Sequence, residues 1–145
     1  MTTINKSATV PFSAEQMYGL VNDIDAYQDF LPWCVGSRVL CRGESVLTAS
    51  LSFSAGTIRQ TLTTENRMQP GRRIDVRLLS GPFRHLSGSW QLEPAGDKSC
   101  NISLQMDFEF RNKIIQLALD KVFSRIINSL IESFTDRAHQ IYGGQ

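Results

Sequence analysis

The chain has 145 residues, room for one domain and too little for two, and a domain of that length buries roughly two-thirds of the surface its unfolded chain exposes. Hydrophobic residues make up 41% and charged residues 20%, a balance that excludes disordered and fibrous classes. The formal net charge of +1 supplies no bulk field toward nucleic acid or anionic lipid, so any such attraction must come from a local patch.

Residues Thr2 to Val10 are short, alternating and β-prone, which predicts an opening strand. A helix start follows: Ser13 as N-cap with Gln16 at N3 makes a capping box, and Phe12 with Met17 makes a hydrophobic staple. A second short helical piece is expected over Asp25 to Phe30, closed by Pro32, which lacks an N–H donor and disfavours helical geometry at Leu31. From Val35 to Phe110 the apolar period is two. Ala49, Leu51, Phe53 and Ala55 alternate with Thr48, Ser50, Ser52 and Ser54; Ile74, Val76 and Leu78 alternate with Arg73, Asp75 and Arg77. Leu86, Trp90 and Leu92 share one parity, and Ile102, Leu104, Met106, Phe108 and Phe110 form the cleanest alternation of all. Such runs describe antiparallel strands with one dry face and one wet face. Turn signals at Arg42-Gly43-Glu44, Ala55-Gly56, Pro70-Gly71, Gly81-Pro82 and Pro94-Ala95-Gly96-Asp97 separate them, for about seven strands in all.

The period then lengthens to 3.6. Asn112 is the expected N-cap and Gly143-Gly144 the stop of a helix of roughly 45 Å at ~1.5 Å per residue. Its apolar face runs through Ile115, Leu119, Val122, Phe123, Ile126, Ile127, Leu130, Phe134, Ala138 and Ile141. A sheet with one wet face must cover the other, and this helix is the one element large enough to do so. The order of elements therefore predicts a single α+β domain over residues 1–145: a curved antiparallel sheet wrapped round a long C-terminal helix, with two short helices plugging one end. Curvature of that kind leaves space between sheet and helix.

Several stretches carry a family resemblance. Tyr27-Gln28-Asp29-Phe30-Leu31-Pro32-Trp33-Cys34 resembles the Y-x-x-F-x-P-W-C signature of the coenzyme Q-binding branch of the START-like (polyketide cyclase/ubiquinone-binding) proteins. Ser37-Arg38-Val39, Gly81-Pro82-Phe83-Arg84-His85-Leu86 with Trp90 downstream, and Asp107-Phe108-Glu109-Phe110 fit as well, so the resemblance spans nearly the whole chain. It implies a helix-grip fold and two different jobs. One is non-enzymatic binding of ubiquinone or another isoprenoid lipid in a tunnel between sheet and helix, supporting respiration, with transient membrane contact. The other is that of a toxin, from a toxin–antitoxin system, that binds the large ribosomal subunit and blocks its association with the small one.

The residues divide the same way. Phe53, Leu62, Val76, Leu78, Leu86, Trp90, Met106, Phe108, Leu119, Phe123, Ile126 and Leu130 are the material of a core, and the resemblance implies that part of this set lines a ligand cavity with Phe30 and Trp33 at its mouth. Burying an isoprenoid tail favours binding at ~25 cal/mol per Å² and needs few polar groups. Outside, Arg59, Arg67, Arg72, Arg73, Arg77 and Arg84 face only Glu65 and Asp75 between Gly56 and His85, a local excess of +4. Arg59, Arg73 and Arg77 fall on outward parity, either as charges that guard a solvated sheet face or as contacts for ribosomal RNA.

Catalysis has little to stand on. Cys34, Cys41 and Cys100 are an odd set without a C-x-x-C pair, so neither a disulfide framework nor a zinc ribbon is expected. His85 and His139 form no H-E-x-x-H pattern, and neither is near Cys34 in sequence. Asp107 and Glu109 share a parity that faces solvent, where nothing drives their pKa values apart. No enzyme, metal or cofactor other than a bound ligand is expected. No stretch reaches the roughly 20 apolar residues of a membrane span, and the first residues lack a signal-peptide core, which together predict a cytoplasmic protein.

Overall fold

The computed structural model describes residues 1–55 and 57–143. The elements, in chain order, are β1 (Thr2–Val10), α1 (Ala14–Asn22), a 3₁₀ turn (Ile24–Ala26), α2 (Tyr27–Phe30), β2 (Cys34–Arg42), β3 (Val46–Ala55), β4 (Ile58–Gln69), β5 (Arg73–Ser80), β6 (Phe83–Gly96), β7 (Ser99–Phe110) and α3 (Lys113–Tyr142). The strands form one antiparallel sheet in the order β1-β7-β6-β5-β4-β3-β2. Every strand from β2 to β7 lies beside its sequence neighbour, and β1 pairs with β7 from Thr2 opposite Phe108 to Val10 opposite Cys100. The two edge strands, β1 and β2, are thus joined by the α1–α2 segment. α1 packs against α3, β6 and β7, and α2 against β2.

The inner face follows from side-chain period. On β7, Cys100, Ile102, Leu104, Met106, Phe108 and Phe110 are all buried while the residues between them are not. α3 lies on this face with Leu119, Phe123, Ile126, Ile127, Leu130, Ile131, Phe134 and Ala138 buried. Asn112 caps it, its side-chain oxygen accepting from the Ile115 amide at 2.9 Å. The capping box of α1 is complete: Ser13 Oγ accepts from the Gln16 amide and Gln16 Oε1 from the Ser13 amide, both at 3.1 Å.

Two details differ from the sequence pattern. Ile141, placed on the apolar face of α3, is 43% exposed, while Ile131 is buried; in the last turn it is Tyr142 that packs inward, on Phe12. Gly143 ends the helix at φ −67, an ordinary right-handed geometry, so no left-handed cap stops it there. Gly144 and Gly56, the other halves of two expected breaks, lie outside the described residues.

Candidate functional site: a cavity between sheet and helix

Sheet and helix do not close completely. Strands β3 to β7 form the floor of a cavity and α3 its roof, while Val21, Ile24, Tyr27 and Trp33 from the α1–α2 segment form an end wall. The cavity has a volume of about 90 Å³ and is partly open to solvent. The inward row of β4 runs Leu62, Thr64, Asn66, Met68, two polar residues between two apolar ones.

Of the residues expected at a ligand cavity, Trp33, Phe53, Leu62, Val76, Leu86, Trp90, Met106, Phe123, Ile126 and Leu130 lie on its wall. Four do not. Phe108 is fully buried among Phe83, Phe110 and Phe123, with ring centroids 6.2, 5.7 and 4.9 Å away, in an aromatic cluster beneath the first part of α3. Leu119 is buried in the core one turn before Phe123. Leu78 is half-buried beside the bulge where Thr63 pairs with Ser80 but Thr64 with Leu78. Phe30 packs edge-on against Tyr27 and Phe134 and carries the Arg137 guanidinium 5.0 Å above its ring, outside the wall. Val21, Ile24, Tyr27, Leu51, Thr64, Asn66, Ile74, Ile127 and Phe134 also line the space. Thr64 and Asn66 had a readable signal: two polar residues on the inward parity of an otherwise apolar row.

The wall is apolar apart from Tyr27, Trp33, Thr64 and Asn66. The Tyr27 hydroxyl donates to the Val21 carbonyl. Thr64 Oγ1 donates to Asn66 Oδ1 at 3.0 Å. Trp33 Nε1 is buried without a partner among the described residues. No side chain on this wall carries a charge.

The groups weighed for chemistry lie elsewhere. Cys34 is buried and its thiol donates to the Gly36 carbonyl at 3.4 Å. Burial pushes its pKa up, against smaller lowering from hydrogen bonds at Gly36 and Ser37, so the nucleophilic thiolate is disfavoured. His85 is exposed beside Ser87 at 3.2 Å. Asp107 accepts from the Thr3 hydroxyl at 2.7 Å, and Glu109 lies 3.9 Å from Arg84. Among the described residues, no group of three or more His, Cys, Asp or Glu is placed to hold a metal, and no helix is long and apolar enough to cross a membrane.

The three outward arginines are not brought together. Arg73 stands opposite Gln69 and Arg77 opposite Glu65 on β4, whereas Arg59 lies ten residues from Gln69 along that strand, ~33 Å at ~3.3 Å per residue. Arg77 Nε meets Glu65 Oε1 at 2.9 Å, and Arg67 reaches the same carboxylate at 3.4 Å. Arg73 pairs with Asp75 at 2.8 Å. What forms is a cluster of Arg67, Arg73 and Arg77 around two carboxylates, with Arg59 apart near the β3–β4 turn. The span of the strand, invisible in charge counting, separates them.

With this geometry in place, comparison with known proteins is informative. A ribosome association toxin, RatA, from Vibrio cholerae is 43% identical over 143 residues, 99% of each chain. The mitochondrial coenzyme Q-binding protein COQ10 homolog B of Xenopus laevis is 27% identical over 145 residues, 97% of this chain and 59% of that one. The crystal structure of the Zhui aromatase/cyclase from a Streptomyces species superposes with a TM-score of 0.86 at 19% identity, covering 96% of this chain and 94% of that one, a likeness of fold. The family model described as polyketide cyclase / dehydrase and lipid transport matches residues 10–135. The chain belongs to that START-like family, in the branch that holds both the ribosome association toxins and the coenzyme Q-binding proteins.

Proposed function

We propose that this chain acts at the ribosome: a non-enzymatic cytoplasmic protein that docks on the large subunit and hinders its association with the small one. The observation that carries this reading is the 43% identity, along 99% of both chains, to a protein named for ribosome association, against 27% to the coenzyme Q-binding relative. Magnitude points the same way. A cavity of about 90 Å³ falls short of the ~300–1,000 Å³ usual for drug-sized ligands, so a whole ring-and-tail quinone enters only if the sheet and helix part. The Arg67, Arg73 and Arg77 cluster on the outer face is the surface suited to phosphate. Sucrose-gradient sedimentation of the purified protein with separated subunits tests the reading. Co-migration with large subunits, and free subunits accumulating on overexpression, are expected. Absence of both ends it.

A second reading is favoured by the cavity itself. An uncharged, mostly apolar wall partly open to solvent suits an apolar small molecule, with ubiquinone or a related isoprenoid lipid suggested by the coenzyme Q-binding relative. The two readings use opposite faces of the sheet and are compatible in one molecule. Organic extraction of the purified protein followed by mass spectrometry is expected to release an apolar compound. Repeated absence of one, with no uptake of added quinone, removes this reading and leaves the first untouched.

A further inference from the structure

We propose that the cavity selects an uncharged, ring-sized apolar molecule bearing an acceptor oxygen, and that the Asn66 carboxamide, held in place by Thr64, is the donor that recognises it. The proposal rests on the second reading above, that the cavity takes an apolar ligand.

Asn66 is 7% exposed and faces inward on β4. Its partners across the sheet are Leu47 and Val76, and those of Thr64 are Ala49 and Leu78. The two residues are therefore a polar pair set into an apolar floor. Their mutual bond, from Thr64 Oγ1 to Asn66 Oδ1 at 3.0 Å, engages the carbonyl end of the amide. A carboxamide carries two N–H donors besides that oxygen. With Oδ1 taken by Thr64 the amide is fixed in one orientation, and its NH₂ is left for whatever occupies the cavity. Among the described residues no side chain or carbonyl accepts from that NH₂.

The remaining wall sets the chemical class. The one buried side-chain group on this wall without a partner among the described residues, Trp33 Nε1, is also a donor. The Tyr27 hydroxyl is spent on Val21. No carboxylate or cation is present to accompany a charged ligand, and an unpaired buried charge is strongly disfavoured. Unpaired donors in an apolar, uncharged hollow match a carbonyl or ether oxygen on a hydrophobic ring. The cavity of about 90 Å³ is smaller than the ~150 Å³ of an apolar hollow that holds benzene, so it takes at most one ring, and that with some parting of its walls.

A matched pair of probes tests this: tetramethyl-1,4-benzoquinone, and 1,2,4,5-tetramethylbenzene, which lacks the oxygens. The quinone carbons are all substituted, so the free cysteines do not add to it. Affinities are read by ¹⁵N–¹H NMR titration of the full chain. The wild type is expected to prefer the quinone by about tenfold, one hydrogen bond's worth. Asn66→Leu should bring the two probes within about twofold while keeping the hydrocarbon affinity. Thr64→Val, which frees the amide to turn but keeps the shape, should lose part of the preference and serves if the first variant fails to fold. Equal affinities in the wild type, or an unchanged preference in whichever of these variants folds, overturn the proposal alone. If neither probe binds the wild type, the proposal falls together with the apolar-ligand reading.

Discussion

The Tyr27 hydroxyl donates to the backbone carbonyl of Val21, six residues earlier, with the whole phenol buried against α3. That bond ties α2 back to the last turn of α1 and sets the end wall of the cavity. Burial pushes the phenol above its ordinary value of 10.0, with Asp23 and Cys34 adding in the same direction. The folded state therefore keeps a proton that the unfolded chain releases above about pH 10. The associated stability is whole below that pH and declines as pH rises, at ~1.4 kcal/mol per pH unit for this one group. Cys34 and Cys100, raised from 9.0 by burial, start a similar decline slightly earlier. Tyr27→Phe is expected to cost ~1 kcal/mol at neutral pH and to flatten the alkaline decline. Urea unfolding between pH 8 and 11 measures both; an unaltered slope in the variant removes Tyr27 from this role.

Gly88 makes a sharper stability prediction. It sits on β6 opposite Met106, and a Cβ there would lie 2.3 Å from the Gln105 carbonyl oxygen and 2.8 Å from the Met106 sulfur. The sulfur can move but the carbonyl belongs to a paired strand. Gly88→Ala should destabilise by about 3 kcal/mol or more, the upper end of overpacking costs. Gly19→Ala is the control, because nothing lies within 4 Å of a Cβ added there, and alanine in an exposed helix position is mildly favourable. Thermal melts of the two variants should move in opposite directions.

The same contrast between local and distant constraint explains what was legible before the structure. Alternation on β7 and the 3.6 period of α3 are local signals, and they fix which residues face inward, so the α+β helix-grip architecture could be read from them. The Ser13 and Asn112 caps are likewise written within a few residues. Whether an inward residue lines a void or fills a core is a different matter, since it depends on which side chains meet across the layer. Phe108 and Met106 share one parity on one strand, yet Phe108 is wedged among Phe83, Phe110 and Phe123 while Met106 borders the cavity. Distance along a strand is equally silent in a charge count, which is why Arg59 grouped with Arg73 and Arg77.

Phe134 joins the end wall to the floor. It is fully buried, and its ring meets Tyr27 at 5.3 Å, Phe30 at 5.5 Å and Trp90 at 5.5 Å, each edge-on. Phe134→Ala removes the hub of that cluster and is expected to cost ~3–5 kcal/mol. Because the deleted ring borders the existing hollow, the lost volume adds to it. A small aromatic such as 1,2,4,5-tetramethylbenzene should then raise the melting temperature of the variant more than that of the wild type, since a ligand confined to the folded state stabilises it by mass action. Equal shifts would mean that the site collapses rather than opens.

Glu65 lies between two guanidiniums, 2.9 Å from Arg77 and 3.4 Å from Arg67. The Arg77 hydrogen bond holds its carboxyl below the ordinary range, so it stays ionised and tempers the outer-face cluster at any pH where the protein works. If this face meets ribosomal RNA, removing that one carboxylate strengthens the contact. Glu65→Gln is expected to tighten co-sedimentation with large subunits, and the Arg67→Glu/Arg77→Glu double variant to abolish it. Arg59→Glu, ~20 Å along β4 from Glu65, should change little. Each phosphate contact steepens the fall of affinity with salt, so the advantage of Glu65→Gln over the wild type should be largest at low salt and shrink as salt rises. Stability should respond far less, because exposed ion pairs contribute only ~0–1 kcal/mol. Sedimentation at a series of salt concentrations reads all three variants together. A ranking in which Glu65→Gln binds more weakly than the wild type would move the docking surface off this face.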